Sequence, residues 1–530
     1  MTSPGPALPP WIGPLALGAP LAVLVAATHI DPHQGWPVAW GAYMAAFLAW
    51  GALAVAWRSG RWRLSLGAIL GAALLFRAGL CLSEPLFSDD IWRYIWDGRV
   101  QLAGVNPYAF PPADPALALL RDADWPRINH PEVPTIYPPA AQLVFLACAI
   151  LGGGLLPLRL AMIAAELVAL AALWRLAEPL DRRLIPSERD RDRAWLALLV
   201  LWNPLMIIEF SGSGHLDALA IAPMMAALAL VAPARREPEA ERAPLHPAPW
   251  LMAGICVGLS AAAKLLGLLL LPLLLAWAWW PRRWPERDGR PPGGLARCAA
   301  LVLGAGIALA ATAAPYQSAL VFDQPGSFGK GLSTYVRKWR ANDGLFGLMA
   351  EAERQILSHA PMSDQGPDRP HWRFDALTRP FEALGVTQTH EGRIVASTTF
   401  TRAEIELSLV KALVAASLAL LLIFCLHQRH EPAAAALILL AALLLLSPTV
   451  HPWYVTWIVP LAALYRARSL LLWSGLVTLA YASAFLLATT GVWSEPVWIR
   501  VAEYTPVFFV LALEAGRRLS GEDPSRASSP

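Results

Sequence analysis

Charge is what this sequence has least of. Of its 530 residues only 15% are Asp, Glu, Lys or Arg, while 56% are hydrophobic; a soluble chain of this length would carry about 25% charged residues. That deficit argues against a water-soluble enzyme. Cysteine is equally scarce. The five, Cys81, Cys148, Cys256, Cys298 and Cys425, lie in or beside apolar segments, and no CxxC or Cys/His cluster occurs, so neither a disulfide framework nor a zinc site is expected. There is no P-loop, no GxGxxG and no nucleic-acid signature, so nucleic acid is not an expected partner. The N-terminal MTSPGPALPP has no basic n-region, and Trp11 to His29 reads as a retained first span rather than a cleaved signal.

What fills the sequence instead is a series of apolar segments. They fall near 11–29, 38–57, 64–82, 138–155, 158–176, 194–210, 216–233, 250–263, 265–280, 296–314, 405–426, 433–447, 453–465, 469–489 and 500–516. A span of the ~30 Å hydrocarbon core takes about 20 residues. Cationic loops stay cytoplasmic, and arginines cluster at 58–63, 182–193, 235–242 and 282–290, with Arg429, Arg466 and Arg468, and Arg517 and Arg518 further on. The pattern is consistent only if one segment does not cross. Residues 138–155, opened by Pro138 and Pro139 and closed by Gly152–Gly154, read as that re-entrant or interfacial helix. The expected architecture is an all-α polytopic membrane protein of about 13–14 transmembrane helices, with both termini cytoplasmic. Two helices (1–63) precede a core (64–315) with a first outer loop at 83–137. An outward loop (316–404), C-terminal helices (405–518) and a polar tail (519–530) follow.

The outward loops hold the candidate chemistry. Phe87-Ser88-Asp89-Asp90-Ile91-Trp92-Arg93-Tyr94 places two adjacent carboxylates at the outer end of a span. One account is local: Ser88 caps a short helix, the acids meet its positive dipole end, and Asp97-Gly98 ends it. The other is that an aspartate at the membrane boundary acts as general base on a hydroxyl. A second set runs from Asn203-Pro204 through Glu209 to Gly214, His215 and Asp217. Ionisable groups near membrane depth are functional candidates by default, although a loop histidine also serves as a simple hydrogen-bonding residue. His215 and Asp217 alone do not make a metal site; no cofactor is expected to be required, and a divalent cation has no support. Lys264 interrupts an apolar stretch, either as a snorkelling lysine or as a phosphate partner. Lys330, Arg337, Lys338 and Arg340, with Tyr335, Trp339 and Asn342 among them, form a basic cluster that a solvated loop face would also account for, and guanidinium pairs well with phosphate. His451 precedes Trp453 and Tyr454, which are interfacial belt residues or sugar-stacking ones.

In order and on a common side, these motifs resemble membrane glycosyltransferases of the GT-C fold. The resemblance is to bacterial alpha-mannosyltransferases and, more distantly, to the GPI mannosyltransferase that adds the first mannose. It rests on Asp89 and Asp90 with Tyr94 and Gly98, on Asn106-Pro107-Tyr108, on Tyr137-Pro138-Pro139, and on Asn203-Pro204 leading to Gly214-His215-x-Asp217. His451-Pro452-Trp453-Tyr454 completes the set, which spans roughly residues 64 to 465.

The resemblance implies transfer of a hexose, mannose being the expected sugar, from a polyprenyl-phosphate sugar to an acceptor hydroxyl, with inversion. The acceptor is a glycolipid, a polysaccharide or a protein, membrane lipids surround the site, and the setting is the outward face of a bacterial inner membrane. It implies Asp90 as base, with Asp89 able to exchange roles, and Lys264, Arg337, Arg340 and His451 on the donor phosphate. Arg93, Tyr94, Tyr137, His215, Asp217, Trp453 and Tyr454 would contact substrate. The two N-terminal spans and the polar insert at about 350–400 depart from the family's simplest pattern and leave the acceptor open. The alternatives are a lipid-linked sugar transporter or flippase, for which polar groups should lie at mid-membrane in paired broken helices, and a lipid-linked oligosaccharide ligase, which needs no acidic motif.

Overall fold

The computed structural model describes residues 7–30, 32–85, 87–178, 186–232, 246–279, 293–319, 340–358, 389–390, 393–394, 402–492 and 494–520. Among these, the regular structure is helical except for a hairpin of β1 (Thr389–His390) and β2 (Arg393–Ile394). Two N-terminal helices, α1 (Ile12–Ala27) and α2 (Pro32–Arg58), precede α3 (Leu66–Cys81), which leads into the outer loop carrying α4 (Asp90–Leu102). The chain returns through α5 (Pro139–Ile150), α6 (Leu155–Ala177), α7 (Pro186–Leu201) and the single turn α8 (Pro204–Ile207). Then come α9 (Asp217–Val231), α10 (Pro247–Lys264), α11 (Gly267–Trp279) and α12 (Gly294–Ala313). After α13 (Gly344–Ser358), the C-terminal part contains α14 (Arg402–His427), α15 (Pro432–Leu445), α16 (Pro452–Val455), α17 (Val459–Leu464), α18 (Arg468–Leu476), α19 (Tyr481–Thr490) and α20 (Val497–Leu519).

The all-α polytopic expectation holds. Five helices among the described residues are long and apolar enough to cross a membrane, and the pair Ser187–Leu201 with Pro204–Gly212, bent by 63°, makes a sixth candidate. Several expected crossings are shorter or broken. The stretch 453–465 is two short helices, α16 and α17, and the 250–280 region breaks after Lys264, where Leu265 takes a left-handed φ of 55°. Pro460 opens α17, where proline removes an amide donor and clashes with the preceding turn; the break at Leu265 has no adjacent proline. Helix α5, at 12 residues, is about 18 Å long, too short to cross alone, in keeping with a re-entrant or interfacial segment.

Packing between the spans relies on small residues and buried polar ties. Gly254 and Gly258, four apart on α10, face α12, and a Cβ on either would overlap the Leu301 or Ala305 carbonyl. Such small-residue faces let backbones approach where lipid supplies no hydrophobic drive between helices. Arg77 on α3 pairs with Glu166 on α6 at 2.6 Å, both buried. Arg159 on α6, fully buried, donates to the Cys81 carbonyl at 3.0 Å, the Ser83 carbonyl at 2.6 Å and the Gly212 carbonyl. One guanidinium thus ties the end of α3 to the turn before Gly214. That tie brings the acidic loop and the histidine turn together.

Candidate functional site

The break at Asn203-Pro204 makes the histidine turn. The Asn203 side chain accepts the Leu205 amide at 3.0 Å and donates to Ser474 at 2.9 Å, so a proline-interrupted chain is still satisfied. Residues Ile208–Gly212 then widen into a π turn, a form frequent at functional sites. Gly214 has φ +71°, and a Cβ there would overlap Ile91, so glycine is required twice over, for conformation and for close approach to α4. The His215 backbone amide donates to the Glu209 carbonyl at 2.8 Å, and its Nδ1 lies 2.8 Å from Glu209 Oε2.

Asp90 is the first residue of α4, with Asp89 at its N-cap, and Asp89 makes no side-chain capping bond. The cap position thus falls on Asp89, one residue past the expected Ser88. Ser88 Oγ nonetheless accepts the amide of Asp90, the first helical residue, at 3.3 Å, and lies 3.1 Å from His215 Nε2. Nor does Asp97-Gly98 end the helix: α4 runs on to Leu102, and Gly98 lets the α5 backbone at Phe145 pack against it. Asp97 is a structural acceptor, taking Arg93 Nε at 2.9 Å, Thr135 Oγ1 at 2.6 Å and Gln142 Nε2 at 2.8 Å. Asn129, which drew no attention in the sequence, donates to Asp89 Oδ1 at 2.6 Å and Asp90 Oδ1 at 3.0 Å and holds the pair side by side. Burial pushes the Asp90 carboxyl above its ordinary 3.8. Asp89 adds to that push, while His215, the Asn129 hydrogen bond and Lys264 oppose it.

Asp89 and Asp90 open onto a cavity of about 1240 Å³. Arg93, Tyr94 and Tyr137 line it too, as do Lys264, His451, Trp453 and Tyr454, with Arg340 and Arg500. Residues distant in sequence, from three of the predicted motifs, thus share one chamber. Tyr94 stacks on Phe145 at 4.7 Å and meets Tyr137 edge-on at 4.9 Å. The buried Arg93 Nη2 has no hydrogen-bond partner among the described residues. Trp453 is sandwiched between His215 at 3.9 Å and His451 at 4.5 Å.

One expectation needs correcting. His215 and Asp217 were expected to touch substrate, but both side chains are fully buried behind the cavity wall. Asp217 takes Lys264 Nζ on its two oxygens at 2.7 and 2.6 Å, and also accepts the Trp457 indole. Lys264 is accordingly no free cation; it is pre-paired with Asp217 and lies 4.5 Å from the Tyr454 ring centre, with its side chain 20% exposed. Arg340 likewise pairs with Asp343, at 2.8 Å through Nε, and Asp343 takes Arg500 at 2.7 Å. The Ala341 amide donates to the Pro448 carbonyl and the Val450 amide to the Ala341 carbonyl, which brings this segment beside His451. Arg337 and the other cations at 330–338 lie outside the described residues. Among the described residues no three His, Cys, Asp or Glu side chains converge on a metal-sized site.

Residues 5–281 match the model of the alpha-(1->6)-mannopyranosyltransferase family, N-terminal domain, and residues 385–514 match an MptB C-terminal domain. The chain belongs to the alpha-(1->6)-mannopyranosyltransferase family. The first match starts at residue 5 and so includes α1 and α2, and it contains Asp89, Asp90, Glu209, His215, Asp217 and Lys264. Over 324 residues the chain is 27% identical to alpha-(1->6)-mannopyranosyltransferase A of Mycobacterium tuberculosis (strain ATCC 25618 / H37Rv), a match covering 56% of this chain and 57% of that protein's length. The crystal structure of the Archaeoglobus fulgidus oligosaccharyltransferase in the apo form aligns with 84% of this chain and 55% of its own at 13% identity, with a TM-score of 0.33. A score that low does not define a shared fold.

Proposed function

We propose that the chain is a mannosyltransferase that moves mannose from a polyprenyl-phosphate donor to an acceptor hydroxyl on a glycolipid, polysaccharide or protein, at the outward face of a bacterial inner membrane. One observation carries the reading: Asp90 lines a large chamber that Lys264 and His451 also line. Asp90 takes the acceptor's proton as its oxygen attacks the anomeric carbon from the side opposite the phosphate. The carbon–oxygen bond to phosphate breaks, the configuration inverts, and polyprenyl phosphate leaves with the bonding pair. A phosphate needs no general acid, unlike the sugar alkoxide that glycosidases must protonate.

Lys264, held by Asp217, has one ammonium N–H left for the phosphate, and a cation fixed in place stabilises developing charge without reorganisation. His451, Arg340 and Arg337 serve the same phosphate in this reading. Tyr137 and Trp453 offer faces for the sugar, with Tyr94 and Arg93 behind them in the same wall. Family membership supports the sugar; the arginine loops support the outward face; the GT-C reading of the bundle belongs to the same proposal.

Purified protein supplied with radiolabelled polyprenyl-phosphate mannose should release polyprenyl phosphate. Asp90→Asn should lower the rate by about 10²–10⁴ while donor binding persists. Full activity in both Asp90→Asn and Asp89→Asn would end the assignment. Cysteine-accessibility labelling at residues 88–90 tests the face independently.

A further inference from the structure

Asn129 stands where the two acids meet. Its Nδ2 donates to Asp89 Oδ1 at 2.6 Å and to Asp90 Oδ1 at 3.0 Å. An ionised carboxylate only accepts, so the amide nitrogen is the end that faces the pair, with one hydrogen for each acid. Neighbouring carboxylates repel, and such a pair ordinarily relieves the repulsion by keeping one proton between them. Asp89 is exposed and the Asp90 side chain is 21% exposed, but both line the chamber. Loss of bulk water there pushes both carboxyls above 3.8, and the Asn129 hydrogen bond opposes that push in each. The segment that delivers Asn129 is itself fixed to α4 and the loop before it. The Arg127 guanidinium lies 3.7 Å from the Trp92 ring centre and pairs with Glu84 at 2.7 Å, and Ile128 is buried. His130 then takes a left-handed φ of 47°, and the Val133 amide donates to its carbonyl at 3.0 Å, so the chain turns directly after Asn129. The two carboxylates are the only side-chain hydrogen-bond partners of Asn129 among the described residues.

We propose that Asn129 is a positioning residue whose amide takes the place of a proton shared between Asp89 and Asp90, so that Asp90 stands ionised to receive the acceptor's proton. The proposal rests on the reading of Asp90 as base. A shared proton would occupy a lone pair that the base needs; the amide occupies one oxygen of each acid and supplies no proton. Asp90 Oδ2 is left without a hydrogen-bond partner among the described residues, since His215 Nε2, at 3.9 Å, is beyond hydrogen-bond length. Oδ2 is therefore the oxygen that takes the proton. The ionisable groups facing Asp90 are Asp89 beside it, His215 from the turn before α9, Lys264 at the end of α10, and the phenols of Tyr94, Tyr137 and Tyr481, while His130 faces Asp89. Lys264 is already paired with Asp217. Asn129 is the group in hydrogen-bond contact with both acids.

The test uses full-length protein in nanodiscs. It follows kcat/KM for polyprenyl-phosphate mannose against pH, the melting temperature, and carboxyl protonation by infrared titration without substrate. Asn129→Ala should move the acid limb of kcat/KM up by about one pH unit, so that the rate on the limb falls about tenfold while the melting temperature changes little. Asn129→Asp, which trades both donors for a third carboxylate, should move the limb further. Adding Asp89→Asn to Asn129→Ala should bring it back, because no second charge remains to repel. The infrared midpoint of Asp90, identified by its loss in Asp90→Asn, should move with the limb. If Asn129→Ala unfolds, Asn129→Ser, which keeps one donor, replaces it and should give a smaller shift in the same direction. A limb and midpoint unmoved in Asn129→Ala and Asn129→Asp, beside an inactive Asp90→Asn, would overturn the bridge and leave the transferase reading intact. So would a loss of rate equal at every pH, or a limb that Asp89→Asn does not restore. Wild-type protein that transfers no mannose would overturn the transferase reading, and the infrared midpoints alone would then decide whether Asn129 keeps the pair ionised.

Discussion

Replacing Asp217 with Asn, and separately Lys264 with Met, distinguishes what this ion pair does for the fold from what it does for the reaction. The ammonium lies 2.7 and 2.6 Å from the two carboxylate oxygens, with side-chain exposures of 20% and 0%. Two unit charges at that separation attract by about 6 kcal/mol at an effective dielectric of 20, but desolvating both ions offsets much of the gain. The net value of the pair is therefore small, whereas breaking it by removing one partner costs about 3–5 kcal/mol, because the other charge stays buried and uncompensated. Asp217→Asn should lose about that much. The double variant, Asp217→Asn with Lys264→Met, carries no stranded charge and should recover most of it, giving a coupling energy of about 2–4 kcal/mol in the double-mutant cycle. Denaturant unfolding in detergent reads the stability, and the polyprenyl phosphate release assay reads the rate. A phosphate role for Lys264 predicts that the double variant is stable and slow. The reasoning fails if Asp217→Asn costs less than about 1 kcal/mol or if the double variant is no more stable than the single.

Asp90 provides a pH test. Because burial, with Asp89 adding to it, raises the Asp90 carboxyl above 3.8, and only the ionised form accepts a proton, kcat/KM should fall on acidification through a limb displaced upward from that of an ordinary aspartate. Asp89→Asn removes a neighbouring negative charge that favours protonation, so that limb should move to lower pH; an upward shift in the profile would contradict the geometry. In the bundle, Gly258→Leu drives a side chain into Ala305 and Ala308 and should cost about 1–3 kcal/mol as overpacking, read as a lower melting temperature. A variant as stable as wild type would show that α10 and α12 do not pack through this face.

The motifs that could be read in order along the chain are those whose chemistry is unusual for their surroundings. Paired acids beside a span, a His-x-Asp after a glycine turn and a lysine in an apolar run stand out because bare charge is costly in a membrane. Arg77, Arg159 and Glu166 carried the same signal, each a lone ionisable group inside an apolar run. Read that way, they would have pointed to the ties that join α3, α6 and the histidine turn. Asn129 gave no signal, since an asparagine in a polar loop is ordinary.

Hydropathy and arginine placement by themselves determined that this is an all-helical polytopic membrane chain and which segments could hold chemistry, because lipid leaves the backbone few ways to satisfy its hydrogen bonds. They did not determine which candidates face the chamber. Only the tertiary structure turned His215 towards Glu209 and Ser88, paired Lys264 with Asp217, and closed Asp343 between Arg340 and Arg500. A side chain's role depends on which partner reaches it first, and those partners arrive from segments up to hundreds of residues away in the chain.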